Sequence, residues 1–133
     1  MKRFIFIILS LTLLLGMGTG CAKKTESQII GTWHLVETNP NWADDVTWTF
    51  YSGGKFEVYS DVIVGEGNAQ SGEYSIFTRS LVTPYLKIKG MGDKSLNGIW
   101  RVEKCNSKKL VINRVEWLNG ETAGAFLRRE FTK

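Results

Sequence analysis

The sequence predicts an all-β domain, a single eight-stranded antiparallel up-and-down barrel. Short runs of alternating apolar and polar residues are separated by Gly, Asn, Ser and Asp, and no run has a convincing helical period. Eight such runs fit into about 105 residues, mostly joined by tight turns, and an open meander of this kind would expose two edge strands. Pairing the last strand with the first removes both edges. A β-sandwich is the alternative, but it needs longer crossovers.

The first 20 residues are predicted to be a signal peptide rather than part of the fold. Two basic residues, at positions 2 and 3, precede an almost wholly apolar stretch over 4–17, and small residues lead to Cys21. The apolar stretch is shorter than the roughly 20 residues that span a bilayer. A cysteine directly after the small residues resembles the signal of bacterial lipoproteins, in which cleavage precedes the cysteine and the cysteine carries the lipid. Ordinary cleavage nearby, with Cys21 a free thiol, is the alternative.

Residues 21–28 are predicted to be the lipidated cysteine and a flexible tether, because the segment is polar, short and without apolar periodicity. The barrel domain then occupies 29–133. The anchor implies a location in the bacterial cell envelope, on the outer membrane if the cell is Gram-negative.

The composition of the chain after the signal argues against a nucleic-acid partner. Of 17 Lys and Arg two lie in the signal, which leaves 15 against 13 acidic residues without a dense basic run. Cys105 is then the one other cysteine, so neither a disulfide nor a metal site is expected, and no cofactor is indicated. Stability must come from the hydrophobic core.

The first half of the barrel begins with a strand in which Gly31 and Trp33 face the same way, so that a wide ring has room at the start of the core. The next two strands alternate apolar residues on either side of a glycine-rich hairpin turn at 52–54. The predicted strands in this half are 29–37, 46–51, 55–60 and 72–76.

The second half continues the meander. Pro84 begins the fifth strand, where a missing ladder donor is tolerated, and Asn119-Gly120 is a strong turn signal before the last strand. The seventh strand has apolar residues in both phases, which predicts a bulge or burial on both faces. The predicted strands here are 84–89, 98–104, 109–117 and 123–131.

The predicted inward residues are bulky and apolar, and they are the candidate ligand-binding residues. They would either line an apolar pocket or simply fill a small barrel as its core. The set is Leu35, Trp48, Phe50, Phe56, Val58, Tyr74, Ile76, Leu86, Ile88, Trp100 and Val102.

The first strand contains a Gly-x-Trp motif, Gly31 and Trp33, and the last strand contains Arg129. In these residues the chain resembles the lipocalin superfamily, specifically the short lipocalin-like domains of bacterial lipoproteins. The resemblance covers about residues 28–133. It implies that Arg129 packs over Trp33 and closes the barrel, with Arg128 as the substitute if the register differs by one. The chain has neither the C-terminal helix nor the disulfide of the large-cupped carriers, which favours the compact bacterial branch.

Catalytic and metal-binding patterns are weak. His34 is the single histidine and is expected to point outward, and no nucleophile–base set or phosphate-binding loop is present. The loop carboxylates match no calcium-loop pattern and are expected to be solvated; they are Asp44, Asp45, Asp61 and Glu66. Trp42, in the first loop, is a candidate for stacking on a sugar or inserting into a partner, or for capping the barrel.

Two functions therefore stand open. The first is a membrane-anchored, non-enzymatic barrel that binds a small hydrophobic or amphipathic ligand, with the loops over 38–46 and 61–71 at its mouth if they share one end. The second is a packed barrel that acts as a protein-interaction or inhibitor module through its loops. An interior cavity of a few hundred Å3 favours the first function, and a dry, filled core favours the second.

Overall fold

The computed structural model describes residues 21–36, 46–60, 69–80 and 82–133, apart from the side chains of residues 125 and 126. The eight strands form a closed barrel in which each pairs antiparallel with the next and the last with the first, which confirms the predicted fold class. The strands are β1 (Gly31–Leu35), β2 (Val46–Phe50), β3 (Lys55–Ser60), β4 (Ala69–Thr78), β5 (Pro84–Lys89), β6 (Gly98–Cys105), β7 (Lys109–Glu116) and β8 (Thr122–Thr132).

The strand pairing brings apolar residues of neighbouring strands side by side. Trp48 lies opposite Val58, and Phe50 opposite Phe56, so these side chains meet on the inner face. β4 is longer than the predicted 72–76 because it pairs with β3 over its first half and with β5 over its second. Gly72 lies at this changeover, where an added Cβ would stand 2.6 Å from the carbonyl oxygen of Lys89. The chain therefore needs a glycine at that position.

β7 shows both features that its ambiguous pattern predicted. Its register shifts against β6 between Val102 and Lys104 and against β8 between Arg114 and Glu116. Its central residues are buried on both faces: Ile112 faces the core, while Val111, on the outer face, is only 2% exposed.

Residues 21–29 are helical, where the sequence predicted a flexible tether over 21–28 and a strand starting at 29. Thr25 and Ile29, one turn apart, are buried at 7% and 0% exposure, and Ile29 belongs to the core cluster. The residues between them on the opposite side of the helix are exposed. The helical period was hidden because most of the inward face is small or polar rather than apolar.

The two ends of the barrel are distinct. At the helix end, the residue between the helix and β1 is linked to the β6–β7 turn by Lys133, whose backbone N donates to the carbonyl of Lys108 (3.1 Å) and whose Nζ donates to the carbonyl of Ile30 (2.7 Å). Because the strands alternate in direction, the β1–β2, β3–β4, β5–β6 and β7–β8 connections all leave the opposite end, which we call the mouth end.

Candidate functional site

The interior of the barrel is filled by the residues that the sequence placed there. Nine of the eleven are buried, and Leu35 and Ile76 are partly buried against the same cluster. Six of them are at most 1% exposed: Trp48, Phe50, Phe56, Leu86, Ile88 and Trp100. A void that admits a water-sized probe would leave accessible area on its lining, so these side chains border no such space.

Trp48 lies at the centre of this packing. Its ring meets Trp100 edge to face, with centroids 5.8 Å apart and an interplanar angle of 90°, and Phe56 at 5.1 Å and 71°. Phe131, from β8, lies 4.8 Å from it on another side. Such offset and edge-on contacts are the preferred geometry of aromatic pairs, so the rings are packed against one another rather than arranged around a pocket.

The cation over Trp33 is Lys133, not Arg129 as the sequence analysis expected. Lys133 Nζ lies 4.8 Å from the Trp33 ring centre, whereas the Arg129 guanidinium lies over Trp48 at 5.9 Å. The reason is register: β1 pairs with β8 through His34 and Thr132, which brings the next residue, Lys133, beside the indole.

Gly31 makes the Lys133 position possible. Its φ is +125°, and an added Cβ would lie 2.7 Å from Lys133 Cε. Trp33 is held from the helix side as well, since its indole N–H donates to the carbonyl of Ile29 at 2.7 Å. The substitute candidate Arg128 points to the outer face, where it pairs with Glu103 and Glu130 at 3.3 Å each.

A cleft of about 480 Å3 opens at the mouth end, between the β5–β6 and β7–β8 connections. Both connections are locally well braced: the Asn97 amide donates to and accepts from the backbone of Met91, and Asn119 Oδ1 accepts from the backbone N of Glu121. The lining combines apolar and polar side chains, namely Met91, Lys94, Asn97, Trp117, Leu118, Asn119 and Glu121.

Arg114 supports one wall of this mouth cleft from below. Its guanidinium lies 4.0 Å from the Trp117 ring centre and 5.6 Å from that of Trp100, and it donates to the carbonyl of Ser95. Burial lowers the pKa of Arg114, and nearby Asp93 partly opposes that shift. Since an arginine remains charged through such shifts, the side chain acts as a fixed cationic brace between the core and the cleft.

A second, more polar groove of about 560 Å3 lies where β3 begins, at Lys55, and β4 continues past it toward β5. Lys89 pairs with Glu73 at 3.1 Å beside it, and Tyr74 donates its hydroxyl hydrogen to the carbonyl of Tyr51 at 2.8 Å. Burial, and to a lesser extent the charge of Glu26, raises the pKa of Tyr74.

The remaining reactive side chains form no site within the described residues. His34 is exposed on β1. Cys105 is half-buried, and burial raises the pKa of its thiol to about 11, which keeps it protonated and unreactive near neutral pH. No group of three or more His, Cys, Asp or Glu in this part of the chain is placed to hold a metal.

Five candidates of the sequence analysis lie outside the described residues: Trp42, Asp44, Asp45, Asp61 and Glu66. Cys21 is described, half-buried at the helix end. Among the described residues, no helix has the length and apolar character needed to cross a membrane.

Comparison of the chain with protein-family models, with curated proteins and with solved structures gave no match in any of the three.

The mouth cleft was missed from the sequence because its parts look like turns. Residues 90–97 were predicted only as the connection between two strands, yet Met91 and Leu96 are buried there, at 4% and 7% exposure. Two large apolar residues in this Gly- and Asp-rich connection are the sequence signal for a compact loop that is packed by its own side chains.

Proposed function

We propose that the protein is a lipid-anchored, lipocalin-like barrel of the bacterial cell envelope that acts by binding rather than by catalysis. Its binding site is the mouth cleft, and the occupant is an apolar side chain of a partner protein. The observation that carries the proposal is the filled interior: six inward residues have at most 1% exposure, so a binding function is directed to the surface.

The chemistry of the mouth cleft suits a protein partner. It is open, its floor includes Met91 and the half-buried Trp117, and Leu118 at its rim is 46% exposed. Lys94 and Glu121 supply opposite charges at the edge. An aromatic and aliphatic centre with a polar rim is the usual anatomy of an interface hot spot.

The position of the cleft supports the same function. Cys21 lies at the helix end, whereas the cleft lies at the mouth end. If Cys21 carries a lipid, as the lipoprotein-like signal predicts, the cleft faces away from the membrane and is accessible to proteins of the surrounding compartment. An intact mass that includes a diacylglyceryl group, lost in Cys21→Ser, tests this attachment.

A second candidate is a small amphipathic ligand in the same cleft. The cleft volume of about 480 Å3 supports it, because small-molecule sites span roughly 300–1,000 Å3 and combine apolar walls with a few polar groups. Native mass spectrometry of the gently purified chain tests this candidate: a discrete extra mass, lost on denaturation, identifies a ligand.

The test of the protein-partner function is a photo-crosslinking amino acid placed in turn at Leu118 and at Tyr51. Both side chains are similarly exposed, at 46% and 41%, but Tyr51 lies at the opposite end of the barrel and serves as the control. We expect one saturable adduct of discrete mass from position 118 and none from position 51. The purified partner should then bind wild type, and Trp117→Ala should weaken it by at least about tenfold.

Equal crosslinking at both positions, or a partner whose affinity is unchanged by Trp117→Ala, contradicts the assignment of the cleft. Because Trp117 packs on Arg114, Leu118→Lys is the second variant, since it changes the rim without removing that contact.

A further inference from the structure

We propose that the helix end of the barrel, which carries Cys21, docks on an anionic lipid surface through the lysines at that end. The inference rests on the lipid attachment proposed above and deepens it, because it specifies which face of the barrel meets the membrane and what lipid chemistry that face recognises.

The helix directs its basic side chains away from the barrel. Thr25 and Ile29 are buried, while Lys23, Lys24 and Glu26 are exposed. At a rise of about 1.5 Å per residue, the two lysines stand roughly 3 and 4.5 Å along the helix axis from Cys21. A lipid on Cys21 would therefore hold both ammonium groups within reach of the headgroups.

Other elements add positive charge at the same end. Lys108 is exposed in the β6–β7 turn, and Lys133, which contacts that turn, holds its Nζ over Trp33. Lys23, Lys24 and Lys108 form no ion pair within the described residues, which leaves their charges available. Surface lysines near an anionic bilayer each strengthen binding by about fivefold.

The described part of the mouth end has the opposite character. In its β5–β6 and β7–β8 connections the charged residues are Asp93, Lys94 and Glu121, which are exposed and give a net negative charge. An anionic surface attracts the helix end and finds no such attraction at these connections. The charge distribution thus favours one orientation, in which the mouth cleft is directed outward.

The experiment measures how fast each lysine is acetylated on the membrane. The full chain, as its cells process it, is reconstituted into vesicles of phosphatidylcholine alone or with phosphatidylglycerol, and an amine-reactive reagent is followed by peptide mass spectrometry. Phosphatidylglycerol should slow the acetylation of Lys23, Lys24 and Lys108 by at least about threefold. The protection should vanish in about 1 M NaCl, where charges are screened beyond roughly 3 Å. Lys94, exposed at the mouth end, is the internal control and should react equally on both vesicles.

A paired variant tests whether the lysines act together. In Lys23→Glu/Lys24→Glu the lipid-dependent protection of Lys108 should disappear, whereas the matched mouth-end variant Lys94→Glu should retain it. Equal acetylation of Lys23, Lys24 and Lys108 on the two vesicles, or equal protection of Lys94, overturns the proposal.

The lipid attachment and the docking are tested by separate measurements on the same preparation. The intact mass of the same preparation reports whether Cys21 carries a lipid, and the acetylation pattern is measured on the same vesicles whatever that mass is. A lipidated chain without phosphatidylglycerol-dependent protection disproves the docking alone, and an unlipidated chain disproves the anchor alone.

Discussion

The ammonium group of Lys133 lies 4.8 Å from the centre of the Trp33 ring. The same nitrogen donates a hydrogen bond to the carbonyl of Ile30, and Trp33 donates its indole N–H to Ile29. These contacts join the residue that follows β8 to β1 and to the helix before it. Since β1 and β8 share the fewest paired positions of the barrel, this bridge stabilises the seam at which the barrel closes.

Lys133→Met tests this bridge, because methionine keeps an apolar stem but loses the charge and the donor. We expect the free energy of unfolding to fall by about 1 kcal/mol, from the cation–π contact and the hydrogen bond together. That change corresponds to a decrease in Tm of roughly 4–8 °C, measured by thermal circular dichroism. Lys104→Met, at another exposed lysine, is the matched control and should change Tm little. Equal decreases in the two variants would show that the ring contact adds no stability.

Gly31→Ala should also destabilise the barrel, by about 1–3 kcal/mol, because φ of +125° is a conformation that alanine adopts only with strain. The clash of the added Cβ with Lys133 Cε contributes a smaller part of this free-energy cost, since the flexible lysine side chain can move away. The cost should therefore persist in the Lys133→Met background, as measured by urea unfolding.

Gly124→Ala is the control for this comparison: an added Cβ there meets nothing within 4 Å and no left-handed φ is involved, so its effect should stay within about 0.5 kcal/mol. A loss from Gly31→Ala that disappeared in the double variant would assign the cost to the clash instead.

The sequence was sufficient to predict the barrel because each strand and each hairpin is marked by residues that are close together in the chain. Alternation with period two and Gly- or Asn-rich turns mark each strand and hairpin, and the edge-strand argument closes the sheet. The inward residues follow from the same alternation, so their burial could be predicted one strand at a time.

The features that the sequence did not reveal depend on non-local packing. The helix before β1 buries the polar Thr25, and Cys21 one turn earlier is only half-buried, so the helix shows no apolar period. The partner of Trp33 depended on the β1–β8 register, which joins residues about 100 positions apart and which no turn specifies. The observed register along β8 therefore places Lys133, instead of Arg129, over the Trp33 ring.

Leu86→Ala tests whether the interior is filled. Leu86 is fully buried, so its truncation should leave a cavity and lower the free energy of unfolding by about 2–5 kcal/mol. Leu118→Ala, at a residue 46% exposed, is the matched control and should cost no more than about 0.5 kcal/mol. A Leu86→Ala effect as small as that of Leu118→Ala would argue that the barrel already contains an adaptable void.

Acid should weaken an ion-pair network on the outer face of β6, β7 and β8. Hydrogen bonding to Lys109 holds the pKa of Glu130 below its ordinary value of 4.5, with a smaller contribution from Arg128. A carboxyl whose pKa is depressed on folding stabilises the protein above its unfolded pKa, and that stability is lost as pH falls through the folded pKa. Tm measured from pH 6 downward should therefore decrease below about pH 4.5, and less steeply in Glu130→Gln. Glu121→Gln, outside the network, should leave the slope unchanged; equal slopes in wild type and Glu130→Gln would contradict the prediction.

Cys105 should resist alkylation in the folded protein. Burial raises the pKa of its thiol from 9.0 to about 11, and the charge of Lys133 opposes that rise. Each unit of pKa lowers the thiolate fraction tenfold at neutral pH, so iodoacetamide should react about a hundredfold more slowly in buffer than in urea. Because Lys133 favours the thiolate, Lys133→Met should slow the folded-state reaction further while Lys104→Met leaves it unchanged. The reaction is followed by mass spectrometry of the peptide that contains Cys105. Faster alkylation in Lys133→Met would show that the loss of the bridge opens the helix end, and that the packing of Lys133 shields Cys105 more than its charge activates the thiol.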